Sequence, residues 1–339
     1  MFKNRDLIIF YLILALLFFI FVALDVLNGD LSFQFYSDSA TWENEAIEGG
    51  HGDELTAVNR NEFGPVTILR ILGPRNYWAM FLFNVVLFLL SLYFMSKNPD
   101  VNLRAFYILL MISPITFTSL FSSNKEIFAL LSTCLIIYNH ERRKIGFILI
   151  IAIVSYMARW QYTLFYIIYL FVFSKFNFIK SRYITFLILL IGITIGLFLF
   201  RNTLLYDVFS LLEHKIHGNY EGGGMFLKMV ELQDRYGYIV AFIPKTLLIF
   251  VAHLKNYDKF FDWTDVYNHV IQFLQTVFNC FVLWWCYKRT KFKFNYTFCY
   301  IAFIYLAIFG ITPIFNPRYF YPAIVFICYD LCKKPQLSI

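Results

Sequence analysis

The stretch from Leu7 to Leu24 reads LIIFYLILALLFFIFVAL, which is 18 residues without a charged side chain. As a helix this stretch would be about 27 Å long, close to the ~30 Å hydrocarbon core of a bilayer. A second run, from Tyr183 to Phe200, reads YITFLILLIGITIGLFLF and has the same length and no charge. Neither run alternates between polar and apolar residues as membrane β-barrel strands do. The sequence therefore predicts an all-α, polytopic bundle of membrane helices.

The composition of the whole chain agrees with this prediction. Of the 339 residues, 60% are hydrophobic and only 15% are charged, whereas soluble domains are typically about 45–50% apolar and ~25% charged. The six cysteines fall within apolar runs and form no CxxC pair, so neither a disulfide framework nor a zinc site is indicated. We expect a single transmembrane domain that covers residues 1–339.

Basic residues concentrate in short loops between the apolar runs. Six such segments hold 16 of the 29 lysines and arginines, and the positive-inside rule assigns them to the cytoplasm. The formal charge of +7 then reflects orientation in a membrane, and we expect no nucleic-acid partner. Both termini are predicted to be cytoplasmic. The six basic segments are residues 1–6, 96–104, 140–144, 175–183, 288–293 and 333–334.

Ten spans fit this arrangement. The apolar segment 238–254 is not counted among these spans. Pro244-Lys245 interrupts it, and a full crossing would place the most basic loop outside the membrane. We therefore predict that the segment is re-entrant or interfacial. In the alternative topology, 145–174 form one long tilted helix and 238–254 cross the membrane. The predicted spans are 7–24, 78–95, 105–121, 126–139, 145–158, 162–174, 183–200, 270–287, 295–314 and 319–332.

Two long loops, 25–77 and 201–269, face the outside in the preferred topology. The first carries nine acidic residues against three arginines, and its Gly-Pro pairs at 64–65 and 73–74 predict turns. Because no separate soluble domain is predicted, chemistry is expected where these loops meet the outer ends of the helices.

Acidic and amide side chains of the first loop are candidates for catalysis or acceptor binding. The segment YSDSATWENEA contains Asp38 and Glu43, and NRNEFGP contains Asn61. A carboxylate beside an active site can act as general base or can bind a hydroxylated acceptor. Arg70 follows in the same loop and is a candidate for phosphate binding. The alternative is a solvated acidic loop without a catalytic role.

Two arginines lie at predicted outer ends of spans. Arg159 follows a run, Ile145 to Ala158, that would rise only about 21 Å as a helix, so we expect Arg159 below the outer membrane surface. Arg318 lies beside a proline in NPRYFYP. With Lys125 and Lys245 at comparable depth, these cations predict a shared anionic ligand, for which a lipid-linked phosphate or pyrophosphate fits. The alternative is that each arginine snorkels to the headgroups and only anchors its helix.

The stretch SSNKE ends at Glu126 and lies in the predicted outer turn between the third and fourth spans. Ser123 and Glu126 have the spacing of a capping box, which would start the fourth helix. The helix dipole favours Glu126 at this position and opposes Lys125. Lys125 therefore needs a partner, which is Glu126, a first-loop carboxylate or a substrate phosphate.

Histidines and tyrosines add further candidates. His214 and His217 of the second loop are three residues apart, but two ligands without a clear third do not predict a metal site. His217 stays a candidate for acceptor binding or proton transfer. Tyr319 and Tyr321, next to Arg318, are also candidates for acceptor binding.

Taken together, YSDSATWENEA, NRNEFGP, SSNKEIFALL, ARWQ and NPRYFYP resemble the short motifs of Wzy-type O-antigen or capsule polymerases. The layout is also similar to that of the GT-C class of polyprenyl-phosphate-dependent glycosyltransferases. The likeness covers most of the chain as a pattern. It implies an enzyme of the bacterial inner membrane that polymerises undecaprenyl-pyrophosphate-linked oligosaccharide repeat units at the outer face of that membrane.

The resemblance also implies roles for individual residues. In GT-C enzymes an acidic residue of the first outer loop is catalytic, and Asp38 has the matching position. In Wzy-type polymerases arginines are expected to bind the donor pyrophosphate without a metal ion or other cofactor, and Arg159 and Arg318 match that role. Asp38 or Glu126 would accept the proton of the acceptor hydroxyl. The implied partners are the undecaprenyl-linked oligosaccharide, the lipid bilayer and a chain-length regulator protein.

Two other functions fit the sequence. A GT-C side-chain glycosyltransferase would add one sugar from a polyprenyl-phosphate donor. A transporter of polysaccharide or lipid-linked sugar would place charges along a central path between inverted repeats. Here the charges collect at one predicted face and no internal repeat is evident, so the polymerase is the leading hypothesis.

Overall fold

The structure of the protein is a computed structural model. It describes residues 2–27, 37–48, 57–121, 123–199, 223–258, 260, 267–289, 294–311 and 316–334. Within these ranges the secondary structure is helical, and the β structure is limited to an isolated antiparallel bridge between Val101 and Lys333. The predicted all-α fold class is therefore confirmed.

Within the described residues, ten α-helices precede residue 200. They are α1 (Phe2–Leu27), α2 (Ser37–Glu48), α3 (Ala57–Leu72), α4 (Tyr77–Ser96), α5 (Leu103–Ile112), α6 (Pro114–Thr118), α7 (Glu126–Arg142), α8 (Ile145–Ala158), α9 (Trp160–Val172) and α10 (Arg182–Leu199). Those that follow are α11 (Gly223–Tyr236), α12 (Tyr238–Val251), α13 (Gln272–Lys288), α14 (Thr297–Phe309) and α15 (Tyr321–Cys332). A 3₁₀ helix, Ala252–Tyr257, follows α12, a π-helical turn, Tyr267–Ile271, precedes α13, and a 3₁₀ turn, Pro317–Phe320, precedes α15.

Several helices have the length and composition of membrane spans. In the described part of the chain, Tyr77–Ser96, Arg182–Leu199 and His269–Lys288 are long and apolar enough to cross a bilayer, and shorter apolar helices accompany them. Large apolar side chains are exposed on many of these helices, as is typical of surfaces that face lipid. The described helices are compatible with a membrane-embedded helical protein, while the ten spans and the cytoplasmic termini stay predictions.

Helix α7 forms the centre of the bundle. Thirteen of its 17 residues are buried, and it packs against α4, α8 and α15. Helix α15 is buried along its whole length. Helix α14 is buried almost as completely, with 11 of its 13 residues buried. Helices buried on nearly all sides are surrounded by other helices, so α7, α14 and α15 form the core and α1, α8 and α10 lie further out.

The predicted span 105–121 is broken into two helices at Pro114. Proline disfavours the helical conformation of the residue before it, and Ser113 is extended (φ −63°, ψ 118°). The Oε1 of Gln275 on α13 accepts hydrogen bonds from the Ser113 hydroxyl (3.0 Å) and from the Ile115 N–H (3.1 Å). Gln275 thus satisfies the Ile115 backbone N–H at the break and holds the Ser113 side chain beside it.

Arg159 separates α8 from α9. Its backbone is extended (φ −171°, ψ 146°), which ends one helix and starts the next. Lys144, before α8, and Tyr169, near the end of α9, both bond to the last turns of α7, so α8 and α9 run in opposite directions. The alternative topology requires one continuous helix over 145–174, and this part of it is wrong.

Helix α12 continues through Pro244. The re-entrant or interfacial placement of segment 238–254 stays a prediction. At the start of α12 the Tyr238 hydroxyl donates to the Ala307 carbonyl of α14, and Lys245 is buried among neighbouring groups. These contacts hold the helix in place where proline removes one backbone hydrogen bond.

The Gly-Pro pairs of the first loop behave differently from each other. Gly64 and Pro65 lie inside α3, so the turn predicted there is wrong. A Cβ added to Gly64 would lie 1.9 Å from the Met157 carbonyl oxygen, which means that α3 packs directly against the backbone of α8. The turn predicted at Gly73-Pro74 is confirmed, and Gly73 has the positive φ (91°) that glycine adopts easily.

Three of the predicted inner loops meet at one end of the bundle. Arg142 donates to the Asn98 Oδ1 (3.0 Å), and the Lys334 N–H donates to the Asp100 carbonyl (2.9 Å). We call this end the basic end; it comprises residues 96–104, 140–144 and 333–334.

The charge of the basic end acts on His140 in the last turn of α7. Burial lowers its pKa to about 4, and Arg143, Lys333 and Arg182 lower it in the same direction. His140 is therefore neutral at physiological pH, with its Nδ1 2.9 Å from the Tyr169 hydroxyl.

Replacing Gly64 with alanine should destabilise the protein, because the new Cβ would overlap the Met157 carbonyl. We expect the free energy of unfolding to fall by about 1–3 kcal/mol, measured by thermal unfolding in detergent. Gly192→Ala is the matched control: its Cβ would meet nothing within 4 Å, and alanine favours a helix by up to about 1 kcal/mol. Equal stability of the two variants would contradict the close packing of α3 on α8.

Candidate functional site

Glu126 begins α7 at the end of the bundle opposite to the basic end. Asn124 precedes it, accepts a hydrogen bond from the Ile127 N–H at its Oδ1 (3.0 Å) and donates from its Nδ2 to a backbone carbonyl of the preceding turn (2.7 Å). Asn124 thus satisfies a donor of the first helical turn. The predicted capping box is wrong, because α7 begins at Glu126 and not one residue after Ser123.

The carboxylate of Glu126 joins two arginines from distant parts of the chain. Its Oε1 is 3.0 Å from the Arg159 Nη2 and 3.8 Å from the Arg318 Nε, and Glu126 is only 3% exposed. Its Oε2 accepts the Lys125 backbone N–H at 3.1 Å. The side chains of Arg159 and Arg318 are 12% and 9% exposed. The structure thus brings these two arginines together, and Glu126 is the residue that joins them, while their shared anionic ligand stays a prediction.

The ring of Tyr319 contacts both guanidinium groups, and hydrogen bonds hold the backbone of the turn that carries Arg318. The ring of Tyr319 lies 4.0 Å from the Arg159 guanidinium and 5.6 Å from that of Arg318, distances at which cation–π attraction operates. Asn316 accepts the Arg318 backbone N–H at its Oδ1 (3.1 Å), which holds the 3₁₀ turn. The Tyr305 hydroxyl donates to the Tyr319 carbonyl (2.9 Å). The segment NPRYFYP is therefore locked against α14.

Lys125 lies beside this ion pair and contacts the first loop. Its Nζ is 4.7 Å from the ring of Trp42 on α2, and both side chains are buried. The Trp42 ring is therefore one partner of Lys125, which was predicted to need a partner. The contact also shows that α2 covers the start of α7.

Lys125, Glu126, Arg159 and Arg318 form what we call the charged cluster. The four residues carry three cationic side chains and one carboxylate at largely buried positions. Buried ionised groups are costly unless they are paired, and two fixed guanidinium groups suit the oxygens of a phosphate. Among the described residues, no group of three His, Cys, Asp or Glu side chains could hold a metal ion.

Two predicted site residues of the first loop make contacts around α2 and α3, and only Arg70 is exposed, since the Glu43 side chain is 13% exposed. Arg70 is exposed and donates to the Glu45 carbonyl at 3.4 Å. Glu43 pairs with Arg75 at 3.6 Å and accepts a hydrogen bond from the Tyr77 hydroxyl at 3.2 Å. These contacts tie α2 to the end of α3 and the start of α4.

Lys245 and Tyr321 are buried in polar contacts of their own. The Lys245 Nζ donates to the Gln233 Oε1 (2.7 Å) and to the Ile311 carbonyl (3.4 Å). The Tyr321 hydroxyl is 2.7 Å from the Thr116 Oγ1. Lys245 therefore joins α12 to α11 and to the end of α14, while Tyr321 joins α15 to α6.

Three predicted residues have side chains outside the described part of the structure. Asp38 belongs to α2 and Asn61 to α3, but only their helical backbone is described; His217 lies outside the described residues entirely. Sequence reasoning missed Trp42 and Asn124. Trp42 is the only aromatic residue of α2, which was the signal that could have singled it out.

Comparisons with models of protein families, with curated proteins and with solved structures found no match to this chain. Function is therefore inferred from the residues and the geometry of the charged cluster.

Glu126→Gln should remove the carboxylate that pairs with the largely buried Arg159 and Arg318. We expect the free energy of unfolding to fall by about 3–5 kcal/mol, measured by thermal unfolding in detergent. Glu43→Gln is the matched control, since its partner Arg75 is 73% exposed and such pairs contribute about 1 kcal/mol or less. A loss for Glu126→Gln as small as that of the control would contradict the double ion pair.

Proposed function

We propose that the protein is a membrane glycosyltransferase that uses a sugar linked to polyprenyl phosphate or pyrophosphate. The observation that carries this proposal is that Arg159 and Arg318 are held by one buried carboxylate, Glu126, with Lys125 beside it. A bound phosphate or pyrophosphate would accept hydrogen bonds from the guanidinium groups of Arg159 and Arg318. The apolar surfaces of the surrounding helices suit a polyprenyl chain, which is excluded from water.

In the proposed reaction, the acceptor hydroxyl oxygen forms a bond to the anomeric carbon of the donor sugar. The bond between that carbon and the phosphate oxygen breaks, and its electron pair leaves with the phosphate. The hydroxyl proton goes to a protein carboxylate. Negative charge grows on the departing phosphate in the transition state, and Arg159 and Arg318 would stabilise it because they are already oriented.

Glu126 is better suited to positioning the arginines than to accepting the proton. Its Oε1 is shared between two guanidinium groups, and its Oε2 accepts the Lys125 N–H. We therefore assign the general base to Asp38. It lies one helical turn before Trp42 on α2, and the Trp42 ring lies over Lys125. This spacing supports α2 as the element that brings the acceptor to the cluster.

Within this class of enzyme we favour a repeat-unit polymerase of bacterial surface polysaccharide. The support is the resemblance of the motifs SSNKEIFALL, ARWQ and NPRYFYP, which supply the four residues of the cluster. The second candidate, a side-chain glycosyltransferase, would use the same cations on a polyprenyl-phosphate donor.

Gel analysis of surface glycan from a gene-deletion strain distinguishes the two enzymes. Loss of a polymerase should leave single repeat units on the lipid carrier, so the ladder of long chains disappears. Loss of a side-chain transferase should preserve the ladder and change only the sugar composition. A glycan unchanged in both respects would contradict the proposed function.

Arg159→Gln and Arg318→Gln should each lower glycan synthesis by about 10²–10³-fold, the range seen when one transition-state hydrogen-bond donor is removed. The measurement is glycan made per folded protein in the complemented deletion strain. Arg235→Gln, an exposed arginine of α11, is the control and should support normal synthesis. Full-length glycan from both cluster variants would rule out the phosphate-binding role.

Asp38→Asn tests the general base. We expect activity to fall by about 10²–10⁴-fold with little change in thermal unfolding, because the amide keeps the shape of the side chain and cannot accept the proton. Glu45→Gln removes another carboxylate of α2 and should preserve activity. Equal activities of the two variants would show that the base lies elsewhere.

A further inference from the structure

A pocket lies at the basic end, about 25 Å along α7 from the charged cluster. The pocket is an open groove with a volume of about 360 Å³, within the range of small-molecule sites. It is lined by the start of α1, the connection between α4 and α5, and the residues after α15. Its polar lining includes Asn4, Ser96, Asn98, Asn102, Arg104 and Lys334.

Asn98 presents a buried donor at this pocket. It is 7% exposed, and its Oδ1 accepts a hydrogen bond from the Arg142 Nη1 at 3.0 Å. This bond fixes the orientation of the amide. Its Nδ2 has no hydrogen-bond partner among the described residues. A buried N–H without an acceptor is costly, so a ligand with acceptor oxygens would satisfy a group that the protein leaves open.

The charges around the pocket select an anion. Arg104 lies in the first turn of α5, where the helix dipole also favours negative charge. The Lys334 Nζ donates to the Pro99 carbonyl at 2.9 Å, which holds the ammonium at the pocket with two further donors. None of the described lining residues is acidic. Phosphate oxygens match this set of donors.

The neighbouring surface favours a lipid as the source of that phosphate. Phe10 on α1 and Tyr93 on α4, each within two helical turns of the pocket, are 66% and 53% exposed, as expected of side chains that face acyl chains. The positive-inside rule predicts that the basic end faces the cytoplasm, where the leaflet is anionic and basic pockets between helices bind headgroups. We propose that this pocket binds the phosphate headgroup of an anionic phospholipid of the inner leaflet.

The test uses the full-length protein in detergent and counts bound lipid by native mass spectrometry. The probes are phosphatidylglycerol, phosphatidylcholine as the neutral lipid, and glycerol phosphate as the water-soluble phosphate. We expect phosphatidylglycerol to be retained in preference to phosphatidylcholine. The double variant Arg104→Gln/Lys334→Gln should weaken its binding about 30-fold, because two cations near the headgroup are lost.

The matched control is Lys144→Gln/Lys180→Gln, which removes the same charge from exposed positions outside the pocket and should retain most of the binding. Asn98→Ala removes the buried donor without a change of charge and should weaken binding as well. If Asn98→Ala does not fold, Arg104→Gln/Lys334→Gln still tests the proposal, because Arg104 and Lys334 are both exposed and their replacement should not disturb folding.

Equal losses of phosphatidylglycerol in the two double variants would overturn the proposal, because the lipid would then respond only to total charge. Binding of glycerol phosphate without preference for phosphatidylglycerol over phosphatidylcholine would overturn the assignment to a lipid. Selective loss in the pocket variants supports it. These outcomes do not depend on the proposed transferase activity, since none of these residues belongs to the charged cluster.

Discussion

The burial of Glu126 between Arg159 and Arg318 constrains the rest of the structure. One carboxylate and two guanidinium groups can leave water for the interior of a helical bundle only if they meet. Their meeting requires three chain segments to end at the same level: the start of α7, the turn between α8 and α9, and the 3₁₀ turn before α15. This contact therefore fixes where α8 must stop, and it sets the position of α15 along α7.

Packing around α7 makes that contact possible, and it also excludes water from the charged cluster. Gly64 allows α3 to lie against the Met157 carbonyl, two residues before Arg159, so α3 approaches the cluster closely. Tyr319 covers the Arg159 guanidinium and Trp42 lies over Lys125. The same exclusion of water that makes unpaired charges costly strengthens their attraction for a leaving phosphate. Stability and the proposed activity thus depend on the same side chains.

The candidate site was predictable where a charge interrupts an apolar run. Arg159 and Arg318 stand at the ends of such runs, and a charge at membrane depth indicates a site whatever its partners are. The partners themselves were not predictable. From the sequence, several carboxylates of the first loop were candidates to pair with the arginines, as Glu126 was. Spacing in the sequence does not show which carboxylate lies within ion-pair distance. The contact of Lys125 with Trp42 was missed for the same reason.

The sequence by itself determined the all-α class, because long runs without charge can satisfy their backbone groups in lipid only as helices. It also determined the turn at Gly73-Pro74, which needs only local backbone freedom. The tertiary structure decided that Gly64-Pro65 and Pro244 lie inside helices. From the sequence alone, a Gly-Pro pair or a lone proline is compatible with a turn or with a helix supported by its neighbours. The tertiary structure also decided that Glu126 joins the arginines, because ion pairing depends on distances between groups far apart in the chain.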